Sequence, residues 1–195
     1  MGDGHAGRSI MKTLSKDLIE RVRRIKLVLT DCDGVLTDGS IYYSRTGEEM
    51  KRFSIRDGMG VERLRKLVNV ETGLITGENS EIVRRRAEKL GIKEYHPGST
   101  DKYSVLKGII RIRKISDEEI AYIGDDFNDQ EIMQQSGLSA CPADAISGIR
   151  EIAHLVLDRN GGHGAFREFA ELIIYYKKLQ YEYTKEGAGW GSHYW

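Results

Sequence analysis

The residues able to do chemistry fall into four separated groups. Asp31 and Asp33 flank Cys32 at the head of the run D-C-D-G-V-L-T-D-G. Thr76 and Gly77 precede Glu78, Lys102 follows Asp101, and Asp125 and Asp126 stand just ahead of Asn128 and Asp129. Each residue type suits phosphoryl transfer. A carboxylate can attack phosphorus and carry the group as an aspartyl-phosphate. A second acid can protonate the leaving oxygen and later activate water. A hydroxyl and backbone amides can hold phosphate oxygens, and a lysine can neutralise the oxyanion or the nucleophile. The remaining acids can hold Mg²⁺, a hard cation that takes oxygen ligands. Side chains two apart on an extended chain share a face, so Asp31 and Asp33 can address one pocket. Two like charges so close need a cation or a shared proton.

These groups need a frame that brings them together. The apolar run 25–29 reads as a buried strand ending at Asp31. Residues 70–75 form a second core strand running into Thr76-Gly77-Glu78, and residues 120–123 a third running into Gly124-Asp125-Asp126. Lys102 opens a helix over 102–110. Between them the sequence predicts a helix over 16–24 capped by Ser15, a hairpin over 40–54 turning at Ser44-Arg45-Thr46-Gly47, and a helix over 56–66. A helix over 80–90 and a short strand over 93–96 follow. Ser116 and Glu119 have capping-box spacing. A short helix, a strand at 138–141, a helix at 145–151 and a strand at 153–157 come next. Gly161-Gly162-His163-Gly164 then breaks the chain before a long helix over 165–183. Strands alternating with helices predict an α/β fold with a doubly wound, Rossmann-like, mostly parallel sheet. The C-terminal ends of such strands share one edge, and ligands bind there. Residues 15–184 are expected to form one domain, with a disordered segment at 1–14 and a flexible tail at 185–195.

Composition narrows the function. The 195 residues hold 30 Lys and Arg against 30 Asp and Glu, a formal net charge of +0, which argues against a nucleic-acid binder. No apolar run approaches a membrane span, and the Gly-rich, polar residues 1–10 do not read as a signal peptide. The two cysteines, Cys32 and Cys141, make neither a disulfide framework nor a zinc pattern. They read as small buried filler in a cytoplasmic protein.

The order D-x-D, T-G, K and G-D-D-x-N-D resembles the four motifs of the haloacid dehalogenase superfamily. The resemblance implies Asp31 as nucleophile, Asp33 as general acid and base, and Thr76 and Lys102 at the phosphate. It implies Mg²⁺ on Asp31, the Asp33 carbonyl and Asp125, with Asp126 supporting Lys102 or a metal-bound water and Asp129 beside it. Two readings of another class stay open: a receiver-like phospho-acceptor and a catalytically inactive binding scaffold. A receiver takes its acid pair and its acceptor from different strands, whereas here both acids of D-x-D lie in one loop.

Neither the interval after motif one nor that from Thr76 to Lys102 has room for a cap domain, so the hairpin is expected to protrude as a flap. A neighbouring subunit is the economical means of closing such a site. The runs T-D-G-S-I-Y-Y, R-D-G-M-G, Y-I-G-D-D-F-N-D and G-G-H-G-A-F-R-E resemble the capless phosphatases of 3-deoxy-2-ulosonic acid phosphates. That resemblance implies a homotetramer with shared active sites, acting in lipopolysaccharide or sialic acid synthesis with no nucleic-acid or membrane partner. Arg56, in R-D-G, resembles the octulosonate 8-phosphate branch. Glu78 and Lys89 resemble instead the nonulosonate branch, which acts on KDN or N-acylneuraminate 9-phosphates, and His163 stands where the octulosonate branch often has Arg. Arg56, Gly77, Glu78 and Lys89 are thus the expected substrate-binding set. Lys89 lies about 16 Å along its helix from Glu78, a position suited to an adjacent subunit's site.

Overall fold

The computed structural model describes residues 13–186. The chain opens with helix α1 (Lys16–Arg24), capped by the Ser15 hydroxyl, which accepts from the Leu18 N–H. Strand β1 (Leu27–Thr30) follows, then the hairpin of β2 (Thr37–Ser44) and β3 (Gly47–Phe53). Helix α2 (Ile55–Val68), strand β4 (Glu71–Ile75), helix α3 (Glu81–Leu90), strand β5 (Glu94–His96) and helix α4 (Lys102–Arg113) come next. A 3-10 turn at Asp117–Glu119 carries the expected Ser116/Glu119 capping box. Strand β6 (Ile120–Ile123) leads into a second 3-10 turn at Phe127–Asp129. The remaining elements are α5 (Gln130–Gln135), β7 (Leu138–Cys141), α6 (Ser147–Ile152), β8 (Leu155–Val156) and α7 (Ala165–Glu186).

The main sheet is parallel, in the order β5-β4-β1-β6-β7-β8, and the hairpin forms a separate antiparallel pair. β1 lies in the middle, Thr30 in register with Leu74 on one side and Ile123 on the other. All four of its residues are buried, as expected of a strand covered on both faces, so its sequence shows no alternation. Successive side chains nevertheless point to opposite layers. Val28 joins Leu74, Phe166, Phe169 and Ile173 in the layer of α1, α2, α3 and α7. Leu27 and Leu29 join Leu106, Ile109, Met133 and Ile149 in the layer of α4, α5 and α6. The doubly wound expectation is borne out.

Two junctions bear on the site. Gly60 lets α2 approach α7: a Cβ there would lie 3.1 Å from the Phe166 ring and 3.2 Å from the Arg167 Cα. The buried Asp57 carboxylate accepts from the N–H groups of Gly164 (3.1 Å) and Arg167 (2.9 Å), covering orphan donors at the start of α7.

Of the segment expected to be disordered, Thr13 and Leu14 are described. Leu14 is buried, and its N–H donates to the Tyr176 hydroxyl. Residues 1–12 lie outside the described residues. Of the expected tail, 185–186 continue α7, and 187–195 lie outside.

Candidate active site

The ends of β1, β4 and β6 bring the sequence-predicted groups to one edge of the sheet. Asp31 follows β1 directly and is buried, its N–H donating to the Ile123 carbonyl. Its Oδ1 accepts from the Cys32 N–H at 2.7 Å and lies 3.0 Å from the Lys102 ammonium. Among the described residues Oδ2 receives no hydrogen bond, which leaves it for an electrophile. Lys102, the first residue of α4, is buried and also donates to Asp129 Oδ1 at 2.7 Å. Thr76 is buried at the end of β4, its hydroxyl accepting from the Glu78 N–H.

The acids are crowded. Carboxylate oxygens of Asp31, Asp125 and Asp129 lie within 4.8 Å of one another. Burial, and next the charge of Asp129, push Asp31 up to about 7 against the pull of Lys102. Burial, then Asp31 and Asp129, push Asp125 up to about 8. Such shifts are those of buried carboxylates that repel one another, which a bound cation would relieve. Asp129 is already satisfied: Lys102 and the buried Tyr122 hydroxyl (2.6 Å) donate to one oxygen, and the N–H groups of Asp125 and Asp126 to the other. Asp125 is not, since its Oδ1 is buried without a partner. Asp31 and Asp125 therefore fit a hard divalent cation, with Asp129 orienting the groups around them. Gly34 allows this approach. It has φ +82°, and a Cβ there would fall 2.0 Å from Asp125 Oδ2.

Three expectations are refined. Asp129, not Asp126, holds Lys102; the exposed Asp126 instead accepts from the Phe127 N–H and caps the 3-10 turn. The spacing D-D-x-N-D is compatible with either acid, and the turn that folds Asp129 back decides between them. The Asp33 side chain does not join the acid cluster. Its Oδ1 accepts from the Thr37 hydroxyl at 3.1 Å and its Oδ2 from Lys51 at 2.6 Å, leaving its backbone carbonyl as the atom to consider for a metal. Of the substrate-binding set, Gly77 and Glu78 lie beside Thr76, whereas Arg56 and Lys89 are exposed and carry no ion pair among the described residues.

Sequence reasoning misses two contributors. Lys51, on a hairpin of mostly polar and exposed residues, gives no sign of facing inward. The loop Gly161-Gly162-His163-Gly164 reads in the sequence as a break and as part of a family-like run, with no sign that it packs on motif one. It does pack there, the Gly162 N–H donating to the Val35 carbonyl. Arg52 bridges Asp38 (3.0 Å) and His163 (3.2 Å) at the same seam.

A parallel sheet with an acid pair after its central strand, a lysine at a helix start and further acids after the neighbouring strand defines a phosphoryl-transfer hydrolase. The haloacid dehalogenase-like hydrolase family matches residues 62–169, and the chain belongs to it, as a phosphomonoester hydrolase. It is 38% identical over 161 residues, 83% of this chain and 86% of the relative, to the 3-deoxy-D-manno-octulosonate 8-phosphate phosphatase KdsC of Yersinia pestis. The corresponding phosphatase of Moraxella catarrhalis, solved with magnesium ion, phosphate ion and a KDO molecule, is 31% identical with a TM-score of 0.82, covering 89% of this chain and 99% of that one. The cobalt-bound enzyme of Haemophilus influenzae is 36% identical with a TM-score of 0.78, covering 81% and 92%.

Proposed function

We propose that this chain is a Mg²⁺-dependent phosphatase of 3-deoxy-D-manno-octulosonate 8-phosphate, working through an aspartyl-phosphate on Asp31. The observation that carries this reading is the Asp31 carboxylate. One of its oxygens is pinned by the Cys32 N–H and Lys102, the other is left for phosphorus, and a carboxylate oxygen of Asp125 lies within 4.8 Å of the Asp31 carboxylate. The related phosphatases named above support the substrate class.

Asp31 Oδ2 attacks phosphorus as the bond to the sugar oxygen breaks, and that oxygen takes a proton from Asp33. The Asp33 carboxylate then takes a proton from water as the water oxygen attacks phosphorus. The bond to Asp31 breaks, releasing inorganic phosphate and restoring the free carboxylate. Lys102, the Thr76 hydroxyl and backbone amides near Gly77 are suited to the phosphate oxygens. Asp31, Asp125 and the Asp33 carbonyl would hold Mg²⁺, which when bound supplies positive charge to the transferring phosphoryl group. Glu78 is suited to sugar hydroxyls. The exposed Arg56 and Lys89 are suited to the substrate carboxylate in a site completed by a neighbour, in keeping with a homotetramer. Such an enzyme would serve lipopolysaccharide synthesis.

A second reading, a nonulosonate 9-phosphate phosphatase, rests on Glu78 and Lys89 together with His163. Phosphate release from both substrates, with and without EDTA, separates the two. The octulosonate reading expects the higher kcat/KM on the 8-phosphate, with turnover lost in EDTA and restored by Mg²⁺. A preference for the 9-phosphate would reassign the substrate. Metal-independent turnover would remove the metal role, and no turnover of either would favour an inactive scaffold.

A further inference from the structure

We propose that Lys51 is a positioning residue for this reaction, fixing the Asp33 carboxylate from the hairpin, with Glu48 and Ser80 fixing Lys51 in turn. The proposal rests on the phosphatase reading above. The hairpin is largely exposed: Ile41, Tyr42, Tyr43 and Met50 all face outward. The Lys51 side chain, by contrast, is wholly buried, at 0% exposure, and its ammonium meets Asp33 Oδ2 at 2.6 Å and Glu48 Oε1 at 3.3 Å. Burying an ammonium is costly unless partners compensate. Attaching a hairpin would be achieved more cheaply by an apolar residue.

The partners form a chain across the site. The other Glu48 oxygen accepts from the Ser80 hydroxyl at 2.5 Å, and the same hydroxyl caps α3, which opens beyond Thr76 and Glu78. The Thr37 hydroxyl, on the first residue of β2, holds the other Asp33 oxygen. Both oxygens of Asp33 are therefore oriented by hairpin residues. A carboxylate that must meet first a leaving oxygen and then a water gains from such restraint, since small misplacements are costly.

Lys51→Met removes the ammonium and keeps most of the bulk. The readout is kcat/KM, which reports steps through release of the alcohol, on two esters. The octulosonate phosphate needs its leaving oxygen protonated; para-nitrophenyl phosphate hardly does. The expected loss is about 100-fold on the sugar ester and under about 3-fold on the aryl ester, the first being the lower range for general acid catalysis. Equal losses on both esters, or none on the sugar ester, would overturn the proposal. If Lys51→Met does not fold, as judged by its melting curve, Glu48→Gln must show the same split at smaller size, and its absence overturns the proposal equally. The underlying reading fails separately: wild-type protein would then turn over neither ester, or Asp31→Asn would keep its turnover.

Discussion

At the scale of single residues, the site's charge balance is its main property. Among the described residues, Lys102 is the cation set between Asp31, Asp125 and Asp129, and it is committed to two of them. Burial, and after it the negative charge of the neighbouring acids, raises Asp31 to about 7 and Asp125 to about 8. The sign of the consequence follows from linkage. A carboxyl whose folded pKa lies above its ordinary value of 3.8 binds more protons when folded, so its contribution to stability is present at low pH and lost as pH rises through about 8. In EDTA-treated protein we expect Tm to fall by about 3 °C or more between pH ~6 and pH ~9, taking about 2–4 °C per kcal/mol for a chain of this size. Asp125→Asn should remove most of that fall, and Mg²⁺ should restore wild-type Tm at the alkaline end. Thermal melts check this; an equal pH slope in Asp125→Asn would show that the strain lies elsewhere. The residue types and their order make this site readable in the sequence, because a D-x-D loop followed by the other three groups has few competing uses. The pairing of Asp129 with Lys102 is not readable, because it depends on a 3-10 turn that reverses the chain.

Elements carry the site through close contacts that only glycine permits. A Cβ at Gly161 would lie 1.8 Å from the Gly34 carbonyl oxygen, so the loop before α7 rests directly on motif one. Gly161→Ala must push these two loops apart. It is expected to cost about 2 kcal/mol or more, within the range for overpacking, and to lower kcat by displacing Asp33 and Gly34. Gly108 is the contrast: it lies inside α4, and a methyl group placed on it would meet nothing within 4 Å. Gly108→Ala should stabilise by about 0.5–1 kcal/mol through helix propensity and leave kcat unchanged. Urea denaturation with parallel assays tests both, and a neutral Gly161→Ala would contradict the buttressing role. The alternation of helices and strands is legible from periodicity and capping residues. Which helix leans on which loop is not, because glycine marks a close approach without naming the other side.

At the scale of the whole molecule, the hairpin is the unfinished part. Tyr42 is 53% exposed, Tyr43 70% and Met50 60%, an apolar surface that a second copy would cover. We expect a tetramer by light scattering, and Tyr42→Ser with Tyr43→Ser should yield smaller species with at least about 10-fold lower activity if neighbours complete the site. A fully active monomer would contradict shared sites. By itself the sequence determined the hydrolase class and the α/β architecture. Asp31, Asp33, Thr76, Lys102 and Asp125 each follow a strand or open a helix, and a parallel sheet delivers such positions to one edge. Only the tertiary structure decided that Lys51 turns inward from an exposed hairpin to meet Asp33, that Asp129 rather than Asp126 holds the lysine, and that the Gly161 loop supports motif one. Those choices rest on contacts between segments far apart in the chain, and local pattern carries no record of them.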